Sequence, residues 1–235
     1  MRSPGDVFRG TRPDSARLTR TPAMNEKDKP GLDASYGSGS AEENRRVYRD
    51  WAATYDEEFA GRSGYRFGGL IAEAFVDAGG NGPVLDAGCG TGLVADRLPA
   101  AIVVDGVDLS PDMLAVAEDK GRYRTLVEAD LTKPLPFEDD AYNGLTCAGT
   151  FTQGHVGPEA LAELLRVLRP GAICAISVRL PFYDTAGFAA AFEALAAGKR
   201  ISRPSIREER VYSADSTPPE GHENDLAYIV TFRKT

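Results

Sequence analysis

From residue 83 onward the chain alternates short apolar runs with helical stretches, and that alternation leaves few architectures open. Runs with the composition of buried strands lie at Pro83–Ala87, Ile102–Val107, Thr125–Ala129, Gly144–Ala148 and Ala172–Val178. They are too short for ordinary helices and are bounded by turn residues. Leu93–Leu98, Asp112–Lys120 and Glu159–Leu168 read as helices between them, while the Pro-rich "LTKPLPFEDDAYN" joins the third and fourth strands. Strands separated by helices pair in parallel and are covered on both faces. A helix at Thr185–Ala197 follows. Two late β-like runs, "REERVYS" and "LAYIVTFRK", joined by the turn-rich "ADSTPPEGHEN", then suggest an antiparallel edge. No linker divides the sheet, so 235 residues read as one domain with an appendage.

The appendage is N-terminal. Residues 1–40 mix Arg, Pro, Ser and Gly without helical or strand period. Such a segment buries too little surface to offset its ordering entropy and is expected to be disordered. It has no apolar core of the kind a secretory signal requires, and Met24 offers a second possible start. From Ala41 the pattern changes. Val47, Trp51, Tyr55 and Phe59 recur every fourth residue and make one apolar stripe on a helix. A second helix over Phe67–Ala78 stops at Gly79 and Gly80. Residues 41–80 therefore form an N-terminal helical element ahead of the sheet, within a domain spanning 41–235.

Composition excludes several classes of partner. The net charge of −8 argues against an extended nucleic-acid or anionic-membrane surface, which needs clustered Lys and Arg. No run approaches the roughly 18 to 20 apolar residues of a membrane span. Cys89, Cys147 and Cys174 form no CxxC pair, and an odd number of cysteines suits a reducing cytoplasm. A small molecule or a peptide is the expected partner.

The first strand ends in "VLDAGCGTG", residues Val84 to Gly92. In an open parallel sheet, ligands gather beyond the carboxyl ends of the strands where strand order reverses. Gly88, Gly90 and Gly92 let a ligand lie against the main chain. Asp86 can orient the loop or accept from a cationic group, directly or through water. A phosphate loop needs Gly-Lys-Ser/Thr, which Thr91-Gly92-Leu93 does not supply. A dinucleotide fingerprint needs GxGxxG, and Leu93 occupies its last position. What remains is GxGxG with an upstream acid. Asp108 closes the second strand, about 20 residues beyond the glycines, where a carboxylate can accept both ribose hydroxyls of a nucleoside. A charge near the N-terminus of the "SPDML" helix is the other reading of Asp108.

"LDAGCGTG", "VDGVDLSPDML" and "LRPGA", in that order, resemble the class I S-adenosylmethionine (SAM) methyltransferases over roughly Asn44 to Lys234. Within that superfamily, "WAATYDEEF", "LDAGCGTGLVA", "GVDLSPDML" and "RVLRPGAI" resemble the subgroup containing the methyltransferase of the Williams-Beuren syndrome region. The resemblance implies an α/β, Rossmann-like, seven-stranded, mostly parallel sheet with helices on both faces and an antiparallel last strand. It implies SAM as cofactor, bound by the glycine loop with Cys89, by Asp108, and by Leu109 and Met113 around the adenine. It places Asp130 at the adenine amino group, the Leu131 backbone at a ring nitrogen, Ala148 at the end of the fourth strand, and Tyr55 in a lid near the cofactor's carboxylate. Apolar side chains at helical spacing also serve as plain core, and Trp51 and Tyr55 equally fit the face that packs their helix down.

A sulfonium methyl is already activated, so the protein's tasks are alignment and exclusion of water. A base is needed only where the acceptor starts protonated. His155, in "TFTQGHVGPEA", suits that role near neutrality, or else caps the next helix. His222, in the late turn, is expected to be exposed. The chain lacks the Asn/Asp-Pro-Pro-aromatic element and the Pro-Cys pair of base-modifying relatives. Asp139, Asp140 and Asn143 precede the fourth strand, the wrong end for a catalytic metal, so no metal is expected. Arg179, Arg203 and Arg207 either attract an anionic acceptor or are surface charge. The expected activity is methyl transfer to a small molecule. A protein side chain, a SAM-binding module without transfer, and an NAD-dependent dehydrogenase stand as alternatives, and oligomeric state is left open.

Overall fold

The computed structural model describes Gly61–Thr235 together with Glu42, Arg46, Arg49, Ala52, Tyr55 and Asp56. The segment expected to be disordered and most of the Val47–Phe59 stripe, Trp51 included, lie outside the described residues. The strands are β1 (Val84–Ala87), β2 (Val104–Asp108), β3 (Thr125–Glu128), β4 (Tyr142–Phe151), β5 (Leu168–Arg179), β6 (Ser205–Arg210) and β7 (Leu226–Arg233). They form one sheet in the order β3-β2-β1-β4-β5-β7-β6. The first five run parallel, and β7 enters antiparallel between β5 and β6. The order reverses between β1 and β4, which puts the switch point of this sheet at the glycine loop.

The helices are α1 (Phe67–Asp77), α2 (Pro111–Asp119), α3 (Ala160–Arg166), α4 (Leu180–Thr185) and α5 (Phe188–Ala197). Strand alternation feeds two cores. Leu85, Ala87, Cys174, Ile176 and Val178 meet α3, α4 and α5 on one face. Val84, Ile173 and Ala175 meet α1 on the other, where Phe67, Ile71 and Phe75 fall four apart on its buried side. Ser110 caps α2 by accepting from the Met113 amide at 3.3 Å, with Pro111 at the first helical position.

Several elements differ from their sequence expectations. The helix expected at Thr185–Ala197 is two helices, α4 and α5, parted at Gly187 with φ +83°, and β6 ends at Arg210 rather than Ser213. Leu93–Leu98 contributes a single 3-10 turn, Ala95–Arg97. Strand β5 begins at Leu168 rather than Ala172, because Leu168 pairs with Tyr142 and the register then slips across Pro170-Gly171 before Ile173 pairs with Gly144. Strand β4 runs on to Phe151, with a second slip between Cys147 and Phe151. That irregularity bends the strand end and turns Ala148, Gly149 and Thr150 toward the switch point.

Candidate active site

One cavity of about 280 Å³ opens at the carboxyl ends of β1, β2 and β4. Its β2 and β3 side is formed by Asp108, Leu109, Met113, Asp130 and Leu131. Gly88, Cys89, Gly90 and Thr91 make its middle; Tyr55, Tyr65, Leu93 and Val94 also line it. Its β4 side is Ala148, Gly149, Thr150, Gly154, His155 and Val156.

Asp108 is fixed by the backbone around it. Its Oδ2 accepts from the Gly90 amide at 2.8 Å and its Oδ1 from the Ser110 amide at 2.9 Å. Burial pushes this carboxyl above its ordinary value, and the amides of Ser110, Gly90 and Leu109 hold it back. A carboxylate has about four lone-pair positions, and the Gly90 and Ser110 amides occupy one on each oxygen, so each oxygen keeps acceptor capacity. The pair of hydroxyls on a ribose matches that remainder. Asp130 accepts from the amide and hydroxyl of Thr132 at 2.8 and 2.6 Å, all on Oδ1.

The glycine loop separates residues that face the cavity from residues that support it. Gly90 has φ +53° and open space where a side chain would begin. Gly88 has φ +67°, and a methyl group there would collide with the Thr150 hydroxyl. That hydroxyl lies 3.4 Å from the Ala87 carbonyl oxygen, so the loop after β1 and the irregular end of β4 meet atom to atom. Gly92 is not on the cavity wall. A side chain there would press on the ring of Tyr123 at 3.0 Å.

Asp86 is likewise behind the wall. It is buried, its Oδ1 accepting from Thr146 Oγ1 at 2.8 Å and its Oδ2 from Tyr123 Oη at 2.7 Å. Burial drives its pKa up to about 6, against the lowering effect of the Tyr123 and Thr146 hydroxyls. Both oxygens of Asp86 are thus engaged by side chains outside the glycine loop. The folded value lies above the unfolded one, so the stability due to the neutral form is complete below about pH 3.8. It is lost as pH rises through about 6. Asp86→Asn is expected to remove that loss: relative to wild type, the variant gains about 3 kcal/mol between pH 4 and pH 7.5. Urea unfolding at the two pH values measures it, and a constant difference between the proteins would refute it.

His155 lies on the β4 side, with Nδ1 3.1 Å from the Gln153 carbonyl oxygen and 3.0 Å from Thr152 Oγ1. A carbonyl only accepts, so Nδ1 carries the proton and Nε2 is the basic nitrogen of the neutral ring. Burial lowers the His155 pKa, opposed by the contact with Gln153, which keeps the ring neutral near pH 7. His222 is buried rather than exposed, its Nδ1 2.8 Å from Asp225 Oδ2. The same carboxylate takes Arg179 at 2.8 Å. Arg179 is thereby neutralised outside the cavity wall, and Arg207 is engaged by Glu209 on β6.

Eleven of the thirteen site residues expected from sequence line the one cavity; Asp86 and Gly92 support it from behind. Sequence reasoning missed Tyr65, Thr91, Gly149 and Thr150. Thr91 sits inside the glycine motif and was readable there. The other three depend on the β4 irregularity and on the approach of Tyr65 to Gly149, which leave no local pattern.

Comparison with known proteins agrees with this geometry. Residues 85–176 match the model of a methyltransferase domain family. The matched segment, which is under half of the chain, is similar to methyltransferase domains, and the sheet order is that of a Rossmann-like fold. The chain is 32% identical over 153 residues to human methyltransferase-like protein 27, covering 62% of each. It is 42% identical over 96 residues to a demethylmenaquinone methyltransferase of Thermus thermophilus, covering 37% of this chain and 43% of that protein. It thus spans less than two thirds of the length of these curated relatives. Among solved structures, the [4+2]-cyclase SpnF shares the fold with a TM-score of 0.62 at 21% identity, over 84% of this chain and 97% of that one.

Proposed function

We propose that this chain transfers the sulfonium methyl of SAM to a small, uncharged acceptor, with His155 removing the acceptor's proton. The observation that carries this reading is one continuous cavity with Asp108 and Asp130 on its β2–β3 side and His155 and Thr150 on its β4 side. A nucleoside-binding carboxylate and a neutral imidazole in one cavity give a binding end and a reacting end.

The glycine loop, Asp108 and Asp130 would hold SAM, whose sulfonium supplies an electrophilic methyl. The protein brings the acceptor atom into line with the carbon–sulfur bond and excludes water, contributions that together reach about 7 to 11 kcal/mol of the barrier. The new bond forms to the acceptor, the electron pair of the old one stays on sulfur, and the acceptor's proton passes to His155 Nε2. Tyr55 and Tyr65 contribute the aromatic surface that shields the reaction. Among the described residues the cavity is lined by no Lys or Arg, so an anionic acceptor would meet only the carboxylates of Asp108 and Asp130.

The Thermus relative, named for a quinone-class substrate, supports a small-molecule acceptor. The likeness of "WAATYDEEF" and "RVLRPGAI" to the Williams-Beuren region subgroup supports the narrower kinship. Three free, buried cysteines suit a reducing, cytoplasmic setting. No helix among the described residues is long and apolar enough to cross a membrane. A module that binds SAM without transferring its methyl is the second reading, since a fold and a cofactor cavity do not by themselves fix the chemistry. Incubating the protein with methyl-labelled SAM and fractionated metabolites, with mass identification of products, tests the proposal. Label is expected in a small molecule. Label in protein would establish side-chain methylation instead, and bound SAM with no labelled product in any fraction would establish the binding module.

A further inference from the structure

The Asp56 carboxylate lies within "WAATYDEEF", where the sequence reading assigned it no role, yet it joins three parts of the molecule. Its Oδ1 accepts from Thr91 Oγ1 at 2.5 Å, inside the glycine loop. Its Oδ2 pairs with Lys120 Nζ at 2.5 Å, and Lys120 directly follows α2. Lys120 is held at the same time by Asp96 at 2.9 Å, in the 3-10 turn after the loop. Tyr55, the neighbour of Asp56 in the chain, lines the cavity.

We propose that Asp56 and Lys120 are positioning residues that latch the Tyr55-Asp56 pair onto the glycine loop and so retain the cofactor. The inference rests on the reading that the cavity holds SAM. The latch is asymmetric. Lys120 and Asp96 both sit beside the sheet, so their pair persists whether or not Asp56 is docked. Asp56 is the partner that comes and goes. Its carboxylate satisfies the buried Thr91 hydroxyl and neutralises a lysine that already faces a second acid. Burial works against the charge on Lys120, but the hydrogen bonds it donates to Asp56 and Asp96 outweigh it and raise its pKa, so the cation persists through the neutral range. Undocking therefore leaves a hydroxyl in the loop without its acceptor and halves the countercharge around Lys120. The aromatic ring of Tyr55 would move with Asp56, opening the cavity beside Leu93 and Val94. Because the ion pair is partly exposed, salt weakens it.

The test uses the full chain and three variants: Asp56→Asn, Lys120→Met, and the two substitutions combined. Chase of labelled SAM from the complex measures its dissociation rate. Each single variant is expected to release SAM on the order of fivefold faster than wild type, and the combined variant to release it no faster than the single ones, because both substitutions remove the same ion pair. Raising sodium chloride should accelerate release from wild type and leave the single variants unchanged. Limited trypsin digestion of the ligand-free proteins reads the latch without any cofactor. Cleavage at Arg49 and Arg62 should quicken in Lys120→Met and Asp56→Asn while cleavage within the sheet domain stays the same. Unchanged digestion together with unchanged release would overturn the latch. Altered digestion in a protein that fails to bind SAM would keep the latch and overturn the cofactor reading.

Discussion

Asp108→Ala is expected to weaken SAM binding by roughly 3 kcal/mol or more, a hundredfold and beyond. The estimate follows from two hydrogen bonds to a buried charged group at about 1.5 to 3 kcal/mol each. The side chain does two jobs, since its oxygens also anchor the amides of Gly90 and Ser110. Calorimetric titration must therefore separate lost ribose contacts from a disturbed loop. A dideoxy analogue of S-adenosylhomocysteine, lacking both ribose hydroxyls, makes the separation. Wild type should bind it far more weakly than the parent compound, and the variant should bind the two alike. If the variant still discriminates between them, the ribose assignment fails. If wild type does not discriminate, the carboxylate serves the loop alone.

His155→Ala is expected to lower turnover by about 10² to 10⁴, the span of general-base contributions, with SAM affinity within twofold of wild type. Burial holds the His155 pKa below its ordinary 6.5, which sets the direction of the pH dependence. A base works when deprotonated, so wild-type turnover should rise with pH on the acid side and be level by neutrality. The variant should lose that acid limb. Steady-state rates with the labelled-methyl assay across pH 4.5 to 8 would show it. Equal turnover in the two proteins would make His155 a part of the wall and leave the acceptor to enter already deprotonated.

The parallel sheet, and the grouping of the glycine loop with Asp108 at one cavity, were readable because strand β1 and the loop are contiguous in the chain and Asp108 ends the next strand. The strand runs predicted for β1, β2 and β3 agree with the observed ones to within a few residues. The acceptor end was not readable. It depends on where β4 slips against β5, and a register slip is decided by two strands distant in the chain. His222 shows the same limit on a smaller scale. A histidine in a turn of Pro, Gly, Glu and Asn is ordinarily solvated, and only the proximity of Asp225 and Arg179 explains its burial. For Asp86, the residue type was legible as an acid beside the glycines. The partners that turn it from the cavity are Tyr123, more than thirty residues later in the chain, and Thr146 on the next strand.

The contact between Gly88 and Thr150 bears on how such a site can diversify. On many scaffolds a binding loop can be exchanged without disturbing its neighbours, because a layer of side chains insulates one from the next. Here no side chain intervenes: the main chain of the glycine loop touches the hydroxyl at the bend of β4. A transplanted acceptor loop would have to arrive with something no bulkier than threonine at position 150. New substrate preference in this chain would therefore be gained more readily through Tyr65, Val156 and the segment beyond β5 than at the bend itself.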